Sequence, residues 1–355
     1  MTALTDLKRL VECESPTEDL VACNQVVDLA IEITNSLLKV KAEKVMENGR
    51  PVYWWGSKSP KIVLLCHIDT VWPKGSFTPT WQVNGDVATG PGVFDMKAGF
   101  IQALYSLVGI EHLENQIALV ATTDEETGSA TSKDLIARLA KAADAVLVFE
   151  ASLDGKVKTG RKGTAMYQIK VTGLASHAGL EPEKGINATT EIAKLVLQIA
   201  SLENQKFGTT AVPTVLHSGT TTNTVPAFAT LDVDVRSFTK SELERIDNAI
   251  RTLKSDVAKV EVTGGINRPP LEESSTSELH AKFEKVAASL GFPEIGKASV
   301  GGASDGNLAA AAGAKVLDGL GAVGHGAHAP TEFINVSYLE PRIKLTNAFI
   351  VELLK

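Results

Sequence analysis

Three stretches of this 355-residue chain run directly into groups that can ligate a metal ion or carry a proton. KIVLLC (61–66) is followed by His67-Ile68-Asp69, IALVATT (117–123) by Asp124-Glu125-Glu126, and AVLVF (145–149) by Glu150. The three apolar runs are short and none alternates, which is the pattern of strands covered on both faces. Ligand sites of open α/β sheets lie beyond the carboxyl ends of their strands. A single imidazole or carboxylate at such an end is ordinarily a solvated rim residue. Three ends delivering these groups to one edge point instead to a site.

His67 and Asp69 stand two residues apart, on the same side of an extended segment. A metal-bound imidazole usually donates its second N–H to a carboxylate, which fixes its tautomer and its orientation, and Asp69 is placed for that task. Glu125 and Glu126 are adjacent carboxylates that repel each other and would push one pKa upward. A dication on one relieves that repulsion and leaves the other as a base. The similar pair Glu272-Glu273 follows no apolar strand and reads as solvated surface.

The elements that would position these groups alternate. Helix-compatible stretches at 97–109 and 132–141 separate the buried runs, as in a mostly parallel α/β sheet. Past Arg161 the character changes. AMYQIKVT (165–172) and the stretch 228–236 alternate strictly, so each has one dry and one wet face. Apolar residues at helical spacing mark helices at 185–202 and 241–257, and further strands fall at 212–218 and 259–263. The resulting order, β-α-β-β-α-β, is that of a ferredoxin-like unit. From Ser277 the pattern returns to α/β, with a helix at 279–290, a strand at 315–318 and a last helix at 340–354. We therefore expect an α/β/α catalytic domain at 1–162 and 272–355, with an inserted α+β domain at 163–271.

Composition narrows the function. Thirty-five Lys and Arg against 42 Asp and Glu give a net charge of -7, which excludes the basic field of a nucleic-acid binder and does not favour an anionic membrane. No apolar run approaches the ~20 residues that span a bilayer. Three cysteines (Cys13, Cys23, Cys66) without a CxxC pair argue against a disulfide framework and against a thiolate zinc site. The first twenty residues carry no basic-then-apolar segment, and the expectation is a cytoplasmic protein.

In order along the chain, LLCHIDTVWP, GPGVFDMKAG, TTDEETGS, VFEAS, ASHAG, NTVP, DVR, GGASDGN and GLGAVGHGAHAPTEF resemble the successive motifs of the M20 metallopeptidases and amidohydrolases. That group includes glutamate carboxypeptidases, acetylornithine and succinyl-diaminopimelate deacylases, and aminoacylases. The resemblance runs from about residue 60 to 335. It implies two divalent ions per chain, most often zinc, with cobalt or manganese as alternatives. His67 and Glu150 would hold one ion, Glu126 and His328 the other, and Asp95 would bridge them. Glu125 would be the general base and Asp69 would orient His67. The peptide bond after the bridging aspartate, Asp95-Met96, would be cis.

In the inserted domain the resemblance makes His177 the group that stabilises the oxyanion, often in a neighbouring subunit's site, and implies a homodimer formed through that domain, a lid. Asn223 and Arg236 match positions that bind the substrate's carboxylate; an ion pair with Asp232 or Asp234 is the alternative for Arg236. Arg268 of RPP, and Gly301 and Gly302, complete the substrate-binding candidates. His112, His217 and His280 match no motif and read as structural, while His325 is ambiguous. The expected activity is hydrolysis of an amide bond next to a free carboxylate, in a small peptide or an N-acyl amino acid. The long match near the C-terminus and RPP resemble the glutamate carboxypeptidase branch. Glu150, where many of those peptidases have Asp, resembles the deacylases. A metal-binding member without activity, serving as a binding protein, is a reading of a different class.

Overall fold

The computed structural model describes residues 2–110 and 113–355; His112 lies outside the described residues. The chain divides into two compact units, one of Met1–Gly160, Glu272–Val300 and Ser304–Lys355, the other of Arg161–Leu271 with Gly301–Ala303. Among the described residues no helix is long and apolar enough to cross a membrane.

The first unit is built on a six-stranded sheet, ordered Glu43–Glu47, Arg50–Gly56, Ile117–Thr122, Ile62–His67, Ala145–Val148 and Val316–Leu317. The last four strands run parallel, and the first two form an antiparallel hairpin that extends one edge. The sheet is therefore mixed. The hairpin carries no sequence signal, because its first strand, EKVME, neither alternates nor forms an apolar run and buries none of its residues. Ile62, Leu64, Cys66, Leu119 and Leu147 face a core shared with the helices Ala3–Glu12, Leu20–Leu37, Ala98–Ser106, Ser277–Ser289 and Leu339–Leu353. Val63, Leu65, Val120 and Val148 point the other way and are equally buried. On that side the helix Asp305–Ala311 packs against Val148 through Gly306. Both faces are covered, which is why these strands read as unbroken apolar runs.

The helix Leu20–Leu37 begins at Asp19, whose carboxylate accepts from Ala22 N at 2.9 Å, a normal N-cap. A second, small antiparallel sheet joins Gln82–Asn84, Val87–Thr89, Phe333–Asn335 and Gly324–His325. Its strands are only two or three residues long, too short for periodicity to reveal. It brings the segment around His328 to the loop that carries Asp95.

The second unit is a four-stranded antiparallel sheet ordered Thr210–Ser218, Phe228–Ser237, Gly163–Thr172 and Lys259–Arg268. Tyr167, Ile169, Val171, Leu231, Val233 and Val235 bury one face beneath the helices Ala188–Ala200 and Lys240–Arg251. Met166, Gln168 and Lys170 lie exposed on the other. The element order is β-α-β-β-α-β. The last strand runs five residues beyond its expected end, through Gly264-Gly265. Gly264 has φ +90°, and a Cβ there would meet Met166 O at 2.1 Å, so what looks like a stop is a close approach of two backbones.

Gly99 sits at the start of the helix Ala98–Ser106, where an added Cβ would lie 1.9 Å from the carbonyl oxygen of Phe149. Gly99→Ala should therefore lower the unfolding free energy by about 1–3 kcal/mol, as overpacking does elsewhere. Denaturant midpoints unchanged from wild type would contradict so tight a helix–strand contact.

Candidate active site

All seven expected catalytic and ligating residues of the first unit come together at the carboxyl edge of its parallel strands. His67 ends the strand Ile62–His67 and is buried. Its Nε2 lies 3.3 Å from Asp95 Oδ1 and 3.6 Å from Glu150 Oε1. Its Nδ1 faces the other way, 3.4 Å from Asp69 Oδ1 and 3.2 Å from the Asp69 carbonyl. On the far side of Asp95, His328 Nε2 is 3.5 Å from Oδ2, and 3.0 Å from Glu126 Oε2. The two oxygens of one carboxylate thus face two different imidazoles, each with a second carboxylate beside it. Donor atoms of His67, Asp95 and Glu126, and likewise of His67, Glu125 and Glu150, all lie within 4.8 Å of one another.

The backbone around these groups is arranged to hold them. Asp95 sits in the Gly92–Lys97 loop, with a cis Asp95-Met96 bond. Glu125 and Glu126 sit on a short turn secured by Asp124. That carboxylate accepts from Thr131 N (2.8 Å), Thr131 Oγ1 (2.5 Å), Ser132 N (3.2 Å) and Ser132 Oγ (2.6 Å). Asp69 does two jobs. Its Oδ2 accepts from the Thr17 hydroxyl at 2.8 Å and from Glu126 N at 3.3 Å, which leaves the buried Oδ1 turned to His67. Arg50 in turn donates to the carbonyls of Thr17 (2.7 Å) and Thr123. Thr17 and Arg50 carry no signal in the sequence, because their task is to fix neighbouring backbone rather than to complete a motif; Asp124 stands in the strand-end motif, and its task is to anchor the turn.

The charges are strongly coupled. Burial alone would strip the His67 proton, but Asp69, Asp95 and Glu150 outweigh it and hold the pKa well above the imidazole range. Hydrogen bonds to Asp95 and Glu126 raise His328 to about 10. Burial would raise Asp95, yet the two imidazoles hold it below the usual carboxylate range. Burial lifts Glu126. Imidazole nitrogen and carboxylate oxygen, in two sets sharing one carboxylate, are the donor chemistry that divalent ions such as zinc take, and the buried Asp69 oxygen behind His67 completes the fit.

Residues 63–352 match the model of peptidase family M20/M25/M40. The chain belongs to this family. It is 33% identical to carboxypeptidase G2 of Pseudomonas sp. (strain RS-16) over 84% of its length and 75% of that protein's. It is 25% identical to acetylornithine deacetylase of Proteus mirabilis (strain HI4320), over 83% and 80%. Among solved structures, aminopeptidase PepT from Bacillus cereus ATCC 10987 shares the fold with a TM-score of 0.83 and 20% identity, over 99% of this chain and 98% of that one.

The remaining M20-type candidates lie in the second unit. His177 is exposed, and its Nδ1 accepts from the backbone of Gly179 and Leu180, each at 3.1 Å. In the neutral ring the proton is therefore on Nε2, free to donate outward. The Asn223 carbonyl accepts from Ala178 N at 2.9 Å, so the ASHAG and NTVP segments are joined. Arg236 makes the ion pair anticipated as its alternative, with Nε 2.9 Å from Asp234 Oδ1 and Nη2 3.2 Å from Oδ2; its Nη1 also reaches Gly301 O at 3.3 Å. Arg161 Nη1 holds Gly302 O at 3.1 Å. Both glycines have open space where a Cβ would stand, so steric need does not require glycine there. Arg268 is buried at the end of its strand, opposite Thr164. His217 is exposed, and His280 lies 3.3 Å from Glu284 on its own helix. In the first unit, His325 pairs with Asp154 at 3.1 Å and takes no part in the cluster.

The raised imidazole pKa values fix the sign of a pH effect. Metal ligation needs neutral rings, whereas His67 and His328 are protonated near pH 7 in the metal-free chain. Loading with a divalent ion should release protons, and affinity should climb as pH rises from 6 toward 9. Calorimetric titration in buffers of different ionisation enthalpy measures this; heats independent of the buffer would contradict the protonated rings.

Proposed function

We propose that this chain is a two-metal hydrolase, with zinc the expected ion, that cleaves an amide bond adjoining a free carboxylate. The observation that carries the reading is Asp95 shared between His67–Glu150 and His328–Glu126, with a Glu125 oxygen within 4.8 Å of donors on His67 and Glu150. Paired divalent ions at such a site polarise the scissile carbonyl and lower the pKa of the attacking water. Glu125, buried at the mouth of the strand-end cluster, accepts the proton of that water and returns it to the departing amine nitrogen. Asp69 keeps the His67 ring turned so that Nε2 faces the cluster. Substrate-binding roles for Asn223, Arg236, Arg268, Gly301 and Gly302, and oxyanion stabilisation by the Nε2 proton of His177, are part of this proposal and rest on the sequence motifs.

Carboxypeptidase action is placed first because of the 33% identity to a protein of that name. Deacylation of an N-acyl amino acid is the second reading, favoured by Glu150 and by the likeness to an acetylornithine deacetylase. Metal-loaded protein assayed on C-terminal dipeptides and on N-acetyl amino acids separates them; two bound ions with no turnover on either class would favour a binding protein. Glu125→Gln should keep both ions and lose at least ~10²-fold in turnover, while Glu126→Gln should weaken metal binding itself. Wild-type rates in Glu125→Gln would remove the base from the mechanism.

We further propose a homodimer formed through the second unit. The edge strand Thr210–Ser218 leaves Val212, Val215 and Leu216 exposed, and Phe228 on the next strand is 60% exposed, an unusual amount of apolar surface for an edge. Sedimentation should give a dimer at micromolar concentration, and Leu216→Glu should shift it toward monomer. A wild-type monomer would contradict the proposal.

A further inference from the structure

Glu332 stands four residues after His328 and is completely buried. Its Oε1 accepts from Phe94 N at 2.8 Å and from Asp95 N at 3.0 Å; its Oε2 accepts from Gly92 N at 3.1 Å and from Trp72 Nε1 at 2.8 Å. All four partners are pure donors, three of them from the loop that carries Asp95. At its other end Glu332 closes the turn that carries His328. Its N–H bonds to Ala329 O at 2.9 Å, and Ala329 N bonds to Gly326 O at 2.8 Å. This turn has no slack. His328 holds a left-handed φ of +61°, and a Cβ on Gly326 would lie 2.9 Å from Glu332 Cα. Phe333, the next residue, is paired to Thr89.

We propose that Glu332 is a positioning residue that sets the spacing between the Asp95 carboxylate and the His328 ring, and so the affinity for both ions. The inference rests on the two-metal reading, in which Asp95 is shared. One side chain fastens the Asp95 loop to the His328 turn, so the 3.5 Å between His328 Nε2 and Asp95 Oδ2 depends on it. Only a carboxylate suits the place. An amide would turn its own N–H groups toward one pair of donors and leave those donors buried without an acceptor.

The test uses the full-length chain stripped of metal and titrated with zinc against a chromogenic chelator, and with cobalt to read the ligand-field spectrum. Glu332→Gln should weaken both ions by at least ~10-fold, the range for groups that orient ligands, and should change the cobalt spectrum. Glu150→Gln, at a group that lies beside His67 and away from His328, should weaken mainly one ion. Trp72→Phe removes a single donor from Glu332 and should weaken both ions about threefold, the worth of one modest hydrogen bond; it decides the matter if Glu332→Gln does not fold. A Glu332→Gln protein with lower thermal stability but wild-type affinity and cobalt spectrum would make Glu332 a structural staple and overturn the inference. Were wild type itself to bind fewer than two ions, the two-metal reading would fail and this inference with it.

Discussion

The structure turns on one shared carboxylate. Asp95 presents Oδ1 to His67 and Oδ2 to His328, and Glu126, Glu150 and Glu125 crowd around the same space. Gathering that many carboxylates out of water is unfavourable unless positive charge or well-aimed donors compensate. Protonated imidazoles can do so in the metal-free chain, and divalent ions in the loaded one. Everything near the site serves to keep the carboxylates apart by fixed amounts while letting the imidazoles reach them.

That task falls to buried groups that never meet the substrate. Asp124 anchors the Glu125–Glu126 turn through four donors, and Asp69 ties the same turn to His67. Arg50 spans the carbonyls of Thr17 and Thr123 behind them. These contacts are with backbone atoms or with side chains already fixed to backbone, so each ligand inherits the rigidity of the sheet rather than of a free loop. The geometry is consequently set by the fold before any ion arrives.

Much of this was legible beforehand. The buried strands announced themselves because both faces are covered, and the strand-end His and Glu groups followed from where such sheets place their sites. Alternation across 165–172 and 228–236 foretold the second unit's sheet, whose two helices cover one face only. What stayed hidden has a common cause. The outer strand of the edge hairpin, Glu43–Glu47, buries none of its residues, the small sheet at Val87–Thr89 and Phe333–Asn335 is too short to show a period, and Gly264-Gly265 reads as a break. Glu332 sits in a motif that was noticed for His328, yet its partners are main-chain amides more than 230 residues earlier, a pairing that no local pattern encodes. Arg236 was legible as a local pair: the polar face of its strand offered Asp232 or Asp234 as a partner, and its guanidinium meets Asp234 two residues away.

The first unit is assembled from chain on both sides of the second, and this has a bearing on biosynthesis. His67, Asp95, Glu125, Glu126 and Glu150 all leave the ribosome before Arg161, whereas His328, Glu332 and the edge strand Val316–Leu317 emerge only after the intervening unit has been made. A nascent chain can lay down the buried strands early, but it lacks the second imidazole of the cluster until His328 is translated. Contacts that close so long a stretch are slow to form. Two donor groups, His67 with Asp95 and Glu126 and His67 with Glu125 and Glu150, are thus present early, and only the side of Asp95 that faces His328 waits for the second unit to be made.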